Sequence, residues 1–294
     1  FIIYGAGGVG GVIGAQLFMA GADTVLIARG AHLAVINDQG LRYQTPFIDE
    51  RLRIPAVSHP GDIELRPDDV FVLTCKSQHT DGALNDLRAA HGSNVPVVCC
   101  QNGVVNERMA LRRFDNVYAM LVYLPAQLIE PGQIQCHAKL KSGVLDVGLF
   151  PTGTDDRTSE ISERLEAVNF GCRPDPSVMR YKYAKLITNL TNAIDAVMPS
   201  GDGVKPIREA AKAEGRACVS AAGIDCASEE EVKNRRKGVL ESGEIPGVER
   251  AGSSSRQSLL RGTGDIEADF LNGEIVQLGR LHGIATPVNS VLQS

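Results

Sequence analysis

The chain has 294 residues, of which 43% are hydrophobic and 22% are charged, a composition typical of a folded globular protein and not of a disordered one. This length exceeds the usual size of a single hydrophobic core, so two domains are expected, with one large α/β barrel as the alternative. The formal net charge of −5 provides no overall positive field, which argues against nucleic-acid and anionic-membrane partners and favours small-molecule chemistry.

The seven cysteines are scattered along the chain and form no C-x-x-C pair. This pattern is typical of reduced thiols in a cytosol, and no metal site is predicted. No apolar run approaches the roughly 20 residues that a membrane-spanning helix requires, and no signal peptide precedes the first predicted strand. We therefore expect a cytoplasmic protein without a membrane span. Its oligomeric state stays open, with a homodimer as one alternative.

The first half of the chain alternates short apolar runs with helical patterns. Such alternation predicts βαβ units and a buried parallel sheet. The predicted strands cover residues 1–4, 24–27, 70–73, 95–98 and 117–120. Shorter extended segments are predicted at 41–43, 51–54, 133–139 and 144–148, followed by a helix at 159–168.

A glycine-rich turn follows the first predicted strand. Glycines at its first and third positions let the backbone turn tightly and approach a pyrophosphate, and the last glycine lets the next helix, predicted at 12–20, pack against the strand. The N-terminus of that helix adds N–H donors and a partial positive charge. The order strand, turn and helix predicts a dinucleotide site, with a purely structural turn as the alternative. The turn is Gly5-Ala6-Gly7-Gly8-Val9-Gly10, a G-x-G-x-x-G pattern.

The residue after the second strand indicates which dinucleotide is bound. NAD sites usually have Asp or Glu there, roughly 20 residues beyond the glycines, to accept a hydrogen bond from the ribose 2′-hydroxyl. This chain has Arg29 instead. A guanidinium can pair with a 2′-phosphate through two hydrogen bonds, whereas a carboxylate would repel it. NADP(H) is therefore the expected cofactor, and a solvated arginine is the alternative.

Two further strand ends carry polar side chains. Lys76 ends the third main strand and Asn102 follows the fourth. Ligands of open α/β sheets bind at the carboxyl ends of the strands. Lys76 is therefore a candidate for contact with the cofactor or an anionic substrate, and Asn102 for either ligand. A surface charge and a simple Asn-Gly turn are the alternatives.

The second half of the chain has long helical periodicity and almost no β-branched runs. The change occurs near two prolines, at 174 and 176. The sequence therefore predicts an α/β fold, with an N-terminal Rossmann-type dinucleotide-binding domain over residues 1–174 and an all-helical C-terminal domain over 175–294. Helices are predicted at 178–198, 206–222, 228–240, 254–261 and 264–282, with a glycine- and proline-containing loop at 242–247.

The first predicted helix of the second half carries a polar face. Lys185, Asn189 and Asn192 are spaced at i, i+4 and i+7, so all three are expected on one side of the helix. Reduction of a carbonyl by a nicotinamide needs a group that stabilises the developing negative charge on oxygen, and a proton donor is the direct means. The lysine is the candidate donor, and a solvated polar stripe is the alternative. An apolar stripe is predicted from Leu186, Leu190, Ala193 and Val197.

Several short motifs in this order jointly resemble the ketopantoate reductase family, and the likeness extends nearly end to end. The resemblance implies NADPH-dependent reduction of 2-dehydropantoate (ketopantoate), or of a related 2-keto acid, to the 2-hydroxy acid, as in pantothenate biosynthesis. The motifs are Gly5-x-Gly7-x-x-Gly10, Arg29, Cys75-Lys76, Gln101-Asn102-Gly103, Lys185-Leu186-x-x-Asn189, Ser255, the tail from Ile266 to Gly273, and the segment from His282 to Asn289.

The resemblance also implies roles for individual residues. Lys185 would be the general acid that polarises the keto oxygen, and Glu267 would lie near it and orient or tune it. Asn189 would contact the hydroxyl end of the substrate, and Ser255 would bind its carboxylate. Asn102 would help to hold both cofactor and substrate.

Lys76 matches a family lysine at the cofactor cleft, but two positions depart from the family pattern. Ala193 stands where a second substrate-binding asparagine is expected, with Asn192 one position earlier, about 100° around the helix. Gly252 stands where another asparagine is expected, three positions before the serine. Both changes concern substrate recognition, so the identity of the 2-keto acid stays open.

Two other functions remain as alternatives. One is a hydroxy acid dehydrogenase of the 3-hydroxyisobutyrate or 6-phosphogluconate kind, which also joins a Rossmann domain to helices and a lysine. The tail from Ile266 to Gly273 and the Gln101-Asn102-Gly103 motif favour the reductase over it. The other alternative is an NADP(H)-binding regulator without turnover, which the altered positions Ala193 and Gly252 would permit.

Overall fold

The computed structural model describes residues 1–198, 201–248, 252, 254–260, 262 and 266–294. The strands are β1 (Ile2–Tyr4), β2 (Val25–Ile27), β3 (Leu41–Gln44), β4 (Asp49–Leu52), β5 (Ala56–Val57), β6 (Phe71–Leu73), β7 (Val97–Cys99), β8 (Val117–Met120), β9 (Ala126–Glu130), β10 (Gln133–Cys136) and β11 (Val147–Leu149). The helices are α1 (Gly8–Met19), α2 (Gly30–Gln39), α3 (Thr80–His91), α4 (Asn106–Leu111), α5 (Asp156–Ala167), α6 (Val178–Asn189), α7 (Asn192–Val197), α8 (Lys205–Ala221), α9 (Glu229–Arg236), α10 (Ser254–Leu260), α11 (Ala268–His282) and α12 (Pro287–Gln293).

The chain forms two compact units. The first comprises Phe1–Gln101, Asn106–Val178 and Arg235–Glu249, and the second comprises Asn102–Val105, Met179–Asn234 and Arg250–Ser294. The first is a mixed α/β structure and the second is helical, so the predicted fold class is confirmed. The boundary between residues 174 and 175 stays a prediction, because the first unit also includes a segment from the second half of the chain.

The first unit is built on a seven-stranded sheet with the order β11-β8-β7-β6-β1-β2-β5. All neighbouring strands run parallel except β11, which runs antiparallel to β8. The central strands β1, β6 and β7 consist of buried residues, because both faces of the sheet are covered. Alternate residues of β1 enter different cores: Ile3 packs on one face, and Ile2 and Tyr4 pack on the other.

The strand order reverses at β1, because β2 lies on one side of it and β6 on the other. This is the order of doubly wound dinucleotide-binding folds, in which ligands bind beyond the carboxyl ends of the strands at the point of reversal. A second sheet, with the order β4-β3-β10-β9, packs through its apolar side chains against α1. The two sheets therefore enclose the helix that follows the glycine turn.

The segment Arg235–Glu249 belongs to the first unit although it begins at the end of α9, whose earlier residues belong to the second unit. Its backbone pairs with residues next to β10: Lys139 N donates to Glu241 O at 2.9 Å, and Lys141 N donates to Val239 O at 3.0 Å. Arg235 also forms an ion pair with Asp146 through Nε and Nη2, at 2.6 and 2.5 Å. Asp146 is fully buried, so this pair fixes the start of the returning segment.

The second unit has one apolar core, formed mainly by α6, α8 and α11. The interior side chains are Leu186, Leu190, Ala211, Cys218, Leu271 and Ile275, together with Val104 from the short segment after β7. Of these helices, α8 and α11 show the amphipathic pattern expected for packed helices, with one apolar stripe facing the core. Among the helices that the structure describes, none is long and apolar enough to cross a bilayer.

The prediction of one continuous helix at 178–198 was wrong, because α6 ends at Asn189 and α7 begins at Asn192. Thr191 Oγ1 donates to Thr188 O at 3.3 Å, an example of a short polar side chain competing for a helical carbonyl. Asn272 Nδ2, from α11, donates to Leu190 O at 3.0 Å. Both contacts satisfy carbonyl groups at the break, so the helix can end there.

Candidate functional site

The glycine turn joins β1 to α1, at the carboxyl end of the sheet. Gly5 has a φ of +111°, and a Cβ at this position would lie 2.6 Å from the backbone N of Cys75. A Cβ at Gly10 would overlap Gly5 O and Thr74 Oγ1, and would lie 2.8 Å from Ile3 Cγ2. The first and last glycines are therefore required by the fold of the turn itself.

Gly7 differs from both, because a Cβ there would meet no described atom within 4 Å. It is the N-cap residue of α1, and no side chain caps this end of the helix. The first N–H groups of a helix have no partner within the helix and form a site for anions. Neighbouring protein atoms therefore do not require a glycine at position 7. A glycine at this end of the helix fits the close approach of a phosphate group.

The other three residues of the turn have defined surroundings. Ala6 is buried in the core between the sheets, and its carbonyl lies 2.7 Å from His32 Nε2. Gly8 begins α1, and its Cβ position lies 3.1 Å from the backbone of Gln127. Val9 packs against the same core as Ala6. Backbone atoms, and not side chains, are what these residues offer to a ligand.

Arg29 follows β2 and forms the N-cap residue of α2. Its side chain is 61% exposed. Arg29 Nη2 lies 3.4 Å from Tyr4 Oη and 3.5 Å from Asp86 Oδ2, and Tyr4 Oη donates to the same Asp86 oxygen at 3.2 Å. Burial raises the pKa of Tyr4 to about 12, so its hydroxyl is neutral at physiological pH. The Arg29 guanidinium is therefore accessible and contacts the carboxylate of Asp86. The sequence did not indicate this contact.

Lys76 begins the short helical turn after β6 and is partly buried. A buried network of polar side chains holds the loops after β6 and β7. Gln101 Nε2 donates to Thr80 Oγ1 at 2.7 Å, Thr80 Oγ1 donates to Asn106 Oδ1 at 2.8 Å, and Asn106 Nδ2 donates to Ser77 Oγ at 3.2 Å. Gln101 belongs to a motif identified in the sequence, but its hydrogen bonds and the other three members of the network were not predicted, because hydrogen bonds between distant loops leave no periodic signal.

In the second unit, Lys185 and Asn189 lie one turn apart on α6 and are both partly buried. Asn189 Nδ2 donates to Asn102 Oδ1 at 3.2 Å. The next residue, Gly103, has a φ of +79° and packs against the start of α11, with its Cβ position 3.4 Å from Phe270 O. The structure thus brings together two amides that are 87 positions apart in the sequence.

Asn192 is the first residue of α7, and the two residues before it belong to neither helix. Lys185 and Asn189 lie on one helix as predicted, whereas Asn192 lies on the next, so a face shared by all three stays a prediction. The predicted apolar stripe holds for Leu186, Leu190 and Ala193, which are buried. It fails for Val197, which is 72% exposed.

Ser255 and Glu267 lie on the last part of the second unit. Ser255 is buried on α10, which packs against α7. Gly252 is exposed and has a φ of +81°, a conformation that asparagine adopts more readily than most residues other than glycine. Glu267 is the N-cap residue of α11 and is partly buried.

The tail motif forms a buried network that supports the break after α6. Asn272 Nδ2 donates to Leu190 O and, at 2.9 Å, to Asn289 Oδ1. Asn289 Nδ2 in turn donates to Glu214 Oε2 at 2.8 Å and to Ala211 O at 3.0 Å. Asn272 and Asn289 are almost completely buried. The tail asparagines therefore connect α11, α12 and α8 to the end of the helix that carries Lys185.

Comparison with known proteins matches this chain along nearly its whole length. The family described as "Ketopantoate reductase PanE/ApbA" matches residues 1–151, and "Ketopantoate reductase PanE/ApbA C terminal" matches residues 177–294. A 2-dehydropantoate 2-reductase of Pyrococcus horikoshii is 28% identical, over 99% of this chain and 94% of that protein. One of Archaeoglobus fulgidus is 27% identical, over 99% and 94%.

Solved structures agree with the sequence comparison. A PanE/ApbA family ketopantoate reductase from Ralstonia eutropha has a TM-score of 0.81 and 27% identity, and the match covers 100% of this chain and 96% of that one. D-Mandelate dehydrogenase, in a ternary structure with NADH and anilino(oxo)acetate, has a TM-score of 0.82, 20% identity and the same coverage, and it shows the shared fold. The chain therefore belongs to the ketopantoate reductase family, whose members are oxidoreductases.

Proposed function

We propose that this protein reduces 2-dehydropantoate, or a related branched 2-keto acid, to the 2-hydroxy acid with NADPH. The observation that carries the proposal is the hydrogen bond from Asn189 to Asn102, at 3.2 Å. Asn189 lies on α6, and Lys185 lies one turn earlier on the same helix. Two amides and an ammonium group match the hydroxyl, carboxylate and keto oxygens of a small polar anion. The names of the relatives in Pyrococcus and Archaeoglobus support the same reaction.

The glycine turn fits a dinucleotide. Gly5 and Gly10 are required by neighbouring protein atoms, whereas Gly7 faces no described atom at its Cβ position. Residues 5–10 would hold the pyrophosphate, Arg29 the 2′-phosphate, and Lys76 a further anionic part of the cofactor. When bound, the reduced nicotinamide supplies a hydride for the carbonyl carbon.

The chain's own residues would supply the proton and the orientation. Lys185 would hold a proton on Nζ and donate it to the keto oxygen, where negative charge develops during reduction. Glu267 would orient or tune that ammonium. The groups proposed to bind the polar ends of the substrate are Asn102, Asn189, Asn192 and Ser255.

Ala193 and Gly252 replace two asparagines of the family pattern, so the substrates tested must extend beyond 2-dehydropantoate. Purified protein should oxidise NADPH, followed by loss of its absorbance, with one or more members of a panel of 2-keto acids that includes 2-dehydropantoate. Absence of turnover with every member would contradict the proposal. Tight NADPH binding without turnover would instead support a regulator.

Removal of the proposed general acid separates catalysis from binding. Lys185→Ala should lower kcat by roughly 10²- to 10⁴-fold, the range typical of general acid catalysis, while the Kd of NADPH changes less than about twofold. Lys205→Ala removes an exposed lysine from α8 in the same unit and should leave both quantities unchanged. Retained turnover in Lys185→Ala, or a large loss of NADPH affinity, would show that the assigned role is wrong.

The cofactor preference depends on Arg29. Arg29→Asp should shift the ratio of kcat/KM values towards NADH, because a carboxylate repels the 2′-phosphate and accepts a hydrogen bond from a 2′-hydroxyl. Steady-state kinetics with both cofactors measures this ratio. Equal use of NADPH and NADH by the unchanged protein would contradict the assignment of Arg29.

A further inference from the structure

A carboxylate lies beside the guanidinium that is proposed to bind the 2′-phosphate. Asp86 projects from α3, and its Oδ2 lies 3.5 Å from Arg29 Nη2. Tyr4 Oη donates to the same oxygen at 3.2 Å, and His59 Nε2 lies 3.9 Å from Asp86 Oδ1. The four side chains come from separate segments of the first unit, so the chain fold places the negative charge at Arg29.

The contact between Asp86 and Arg29 is weak as an ion pair. The two side chains are 39% and 61% exposed, and the distance of 3.5 Å is at the long limit for a hydrogen bond. Exposed pairs of this kind contribute little to stability. Asp86 is held by the shorter hydrogen bond from Tyr4, and the neutral hydroxyl adds no charge of its own. Asp86 therefore does little to position the arginine.

The charge of Asp86 nevertheless acts on any anion bound at Arg29. Two anionic groups that contact one guanidinium lie within about 7 Å of each other, which is inside the screening length at physiological ionic strength. A 2′-phosphate bound by Arg29 would meet this repulsion. A cofactor with a 2′-hydroxyl in place of the phosphate carries no charge at this position and would not meet it.

We propose that Asp86 is a second specificity-determining residue of the cofactor site, which weakens binding of the 2′-phosphate and so reduces the preference for NADPH over NADH that Arg29 creates. The inference rests on the proposed function, because it takes Arg29 as the 2′-phosphate contact. It goes beyond that function by assigning opposite effects on one phosphate group to two residues.

The test measures binding of the adenosine part alone, by calorimetry of the whole protein with adenosine 2′,5′-bisphosphate and with 5′-AMP. Asp86→Asn should tighten the bisphosphate about 3- to 10-fold, as expected for removing one nearby charge from a partly screened site, and should leave 5′-AMP within about twofold. Asp86→Ala should also tighten binding of the bisphosphate. Asp115→Asn, which removes an exposed carboxylate that accepts from Ser93, is the matched control and should change neither ligand.

Salt provides a readout that a purely structural role would not change. The increase in affinity for the bisphosphate that Asp86→Asn produces should shrink towards onefold when the ionic strength is raised to about 1 M, because charges are then screened over a short distance. An unchanged or weaker bisphosphate affinity in both Asp86 variants, or a gain that does not depend on salt, would overturn the proposal.

Arg29→Ala separates this proposal from the one on which it rests. If Arg29→Ala weakens the bisphosphate and Asp86→Asn has no effect, only the role of Asp86 is wrong. If Arg29→Ala has no effect on the bisphosphate, or the unchanged protein binds neither adenosine ligand, the cofactor assignment and the role of Asp86 are both wrong.

Discussion

Gly5, Gly7 and Gly10 are equivalent in the sequence pattern but occupy different environments. Gly5 has a positive φ and approaches Cys75, and Gly10 touches the backbone of the turn and Thr74. Gly7 touches no described atom at its Cβ position. The motif could be predicted from the sequence because strand, turn and helix are local features. The separate environment of each glycine could not, because it depends on Thr74 and Cys75, which follow β6 and are distant in the sequence.

These environments predict opposite outcomes for two alanine substitutions. Gly10→Ala should destabilise the protein by roughly 1–3 kcal/mol through overpacking, although alanine normally favours a helix interior by about 0.5–1 kcal/mol over glycine. Gly7→Ala should leave the free energy of unfolding within about 0.5 kcal/mol and weaken binding of NADPH. Denaturant unfolding and NADPH titration of both variants measure this. Equal destabilisation by the two substitutions would contradict the distinction.

At the scale of elements, α9 begins with a capping box whose sequence signature is Ser-x-x-Glu. Glu231 N donates to Ser228 Oγ at 3.2 Å, and Ser228 N donates to Glu231 Oε2 at 2.8 Å. Arg180 Nη1 donates to Glu231 Oε1 at 3.1 Å, which joins the cap to α6. The hydrogen bonds from Ser228 and Arg180 lower the pKa of Glu231 to about 2. The local signature is readable in the sequence, whereas the contact with Arg180 depends on packing.

This cap predicts a pH-dependent contribution to stability. Folding lowers the pKa of Glu231 from 4.5 to about 2, so the folded state favours the ionised carboxylate. The contribution is complete above pH 4.5 and is lost as the pH falls towards 2. Glu231→Gln should therefore lower the melting temperature at neutral pH, and the difference from the unchanged protein should shrink through that interval. Glu230→Gln, in the same first turn, is the control; a difference that is constant with pH would argue against this role of the cap.

At the scale of the whole molecule, the first unit is not continuous in sequence. Residues Arg235–Glu249 return to it from the end of α9, and Arg235 pairs with the buried Asp146. Removing one partner of a buried ion pair leaves the other charge buried without compensation, which is strongly unfavourable. A chain that ends at residue 178 would lack Arg235 and leave Asp146 with the longer contact to Arg173 Nε, at 3.7 Å.

Asp146→Asn should consequently destabilise the protein by roughly 3–5 kcal/mol, the range for breaking a buried pair. Asp68→Asn is the matched control, because its pair with Arg164 at 3.5 Å is exposed and contributes roughly 0–1 kcal/mol. Denaturant unfolding measures both changes, and residues 1–178 alone should unfold at a lower denaturant concentration than the whole chain. Similar small effects for the two aspartates would contradict a structural role for the returning segment.

The sequence by itself determined the α/β class, the glycine turn and the succession of most helices, because strand alternation, helical periodicity and turn chemistry act over a few residues. Only the tertiary structure decided where the predicted helix at 178–198 is interrupted, since Asn272 reaches Leu190 O across 82 positions. The tertiary structure also decided that the segment beginning at Arg235 returns to the first unit. Arg235 is 89 positions from its partner Asp146. Asp86, whose carboxylate lies beside Arg29, is 57 positions from it in the sequence. Contacts at such separations leave no pattern in the sequence, because they depend on how the elements pack.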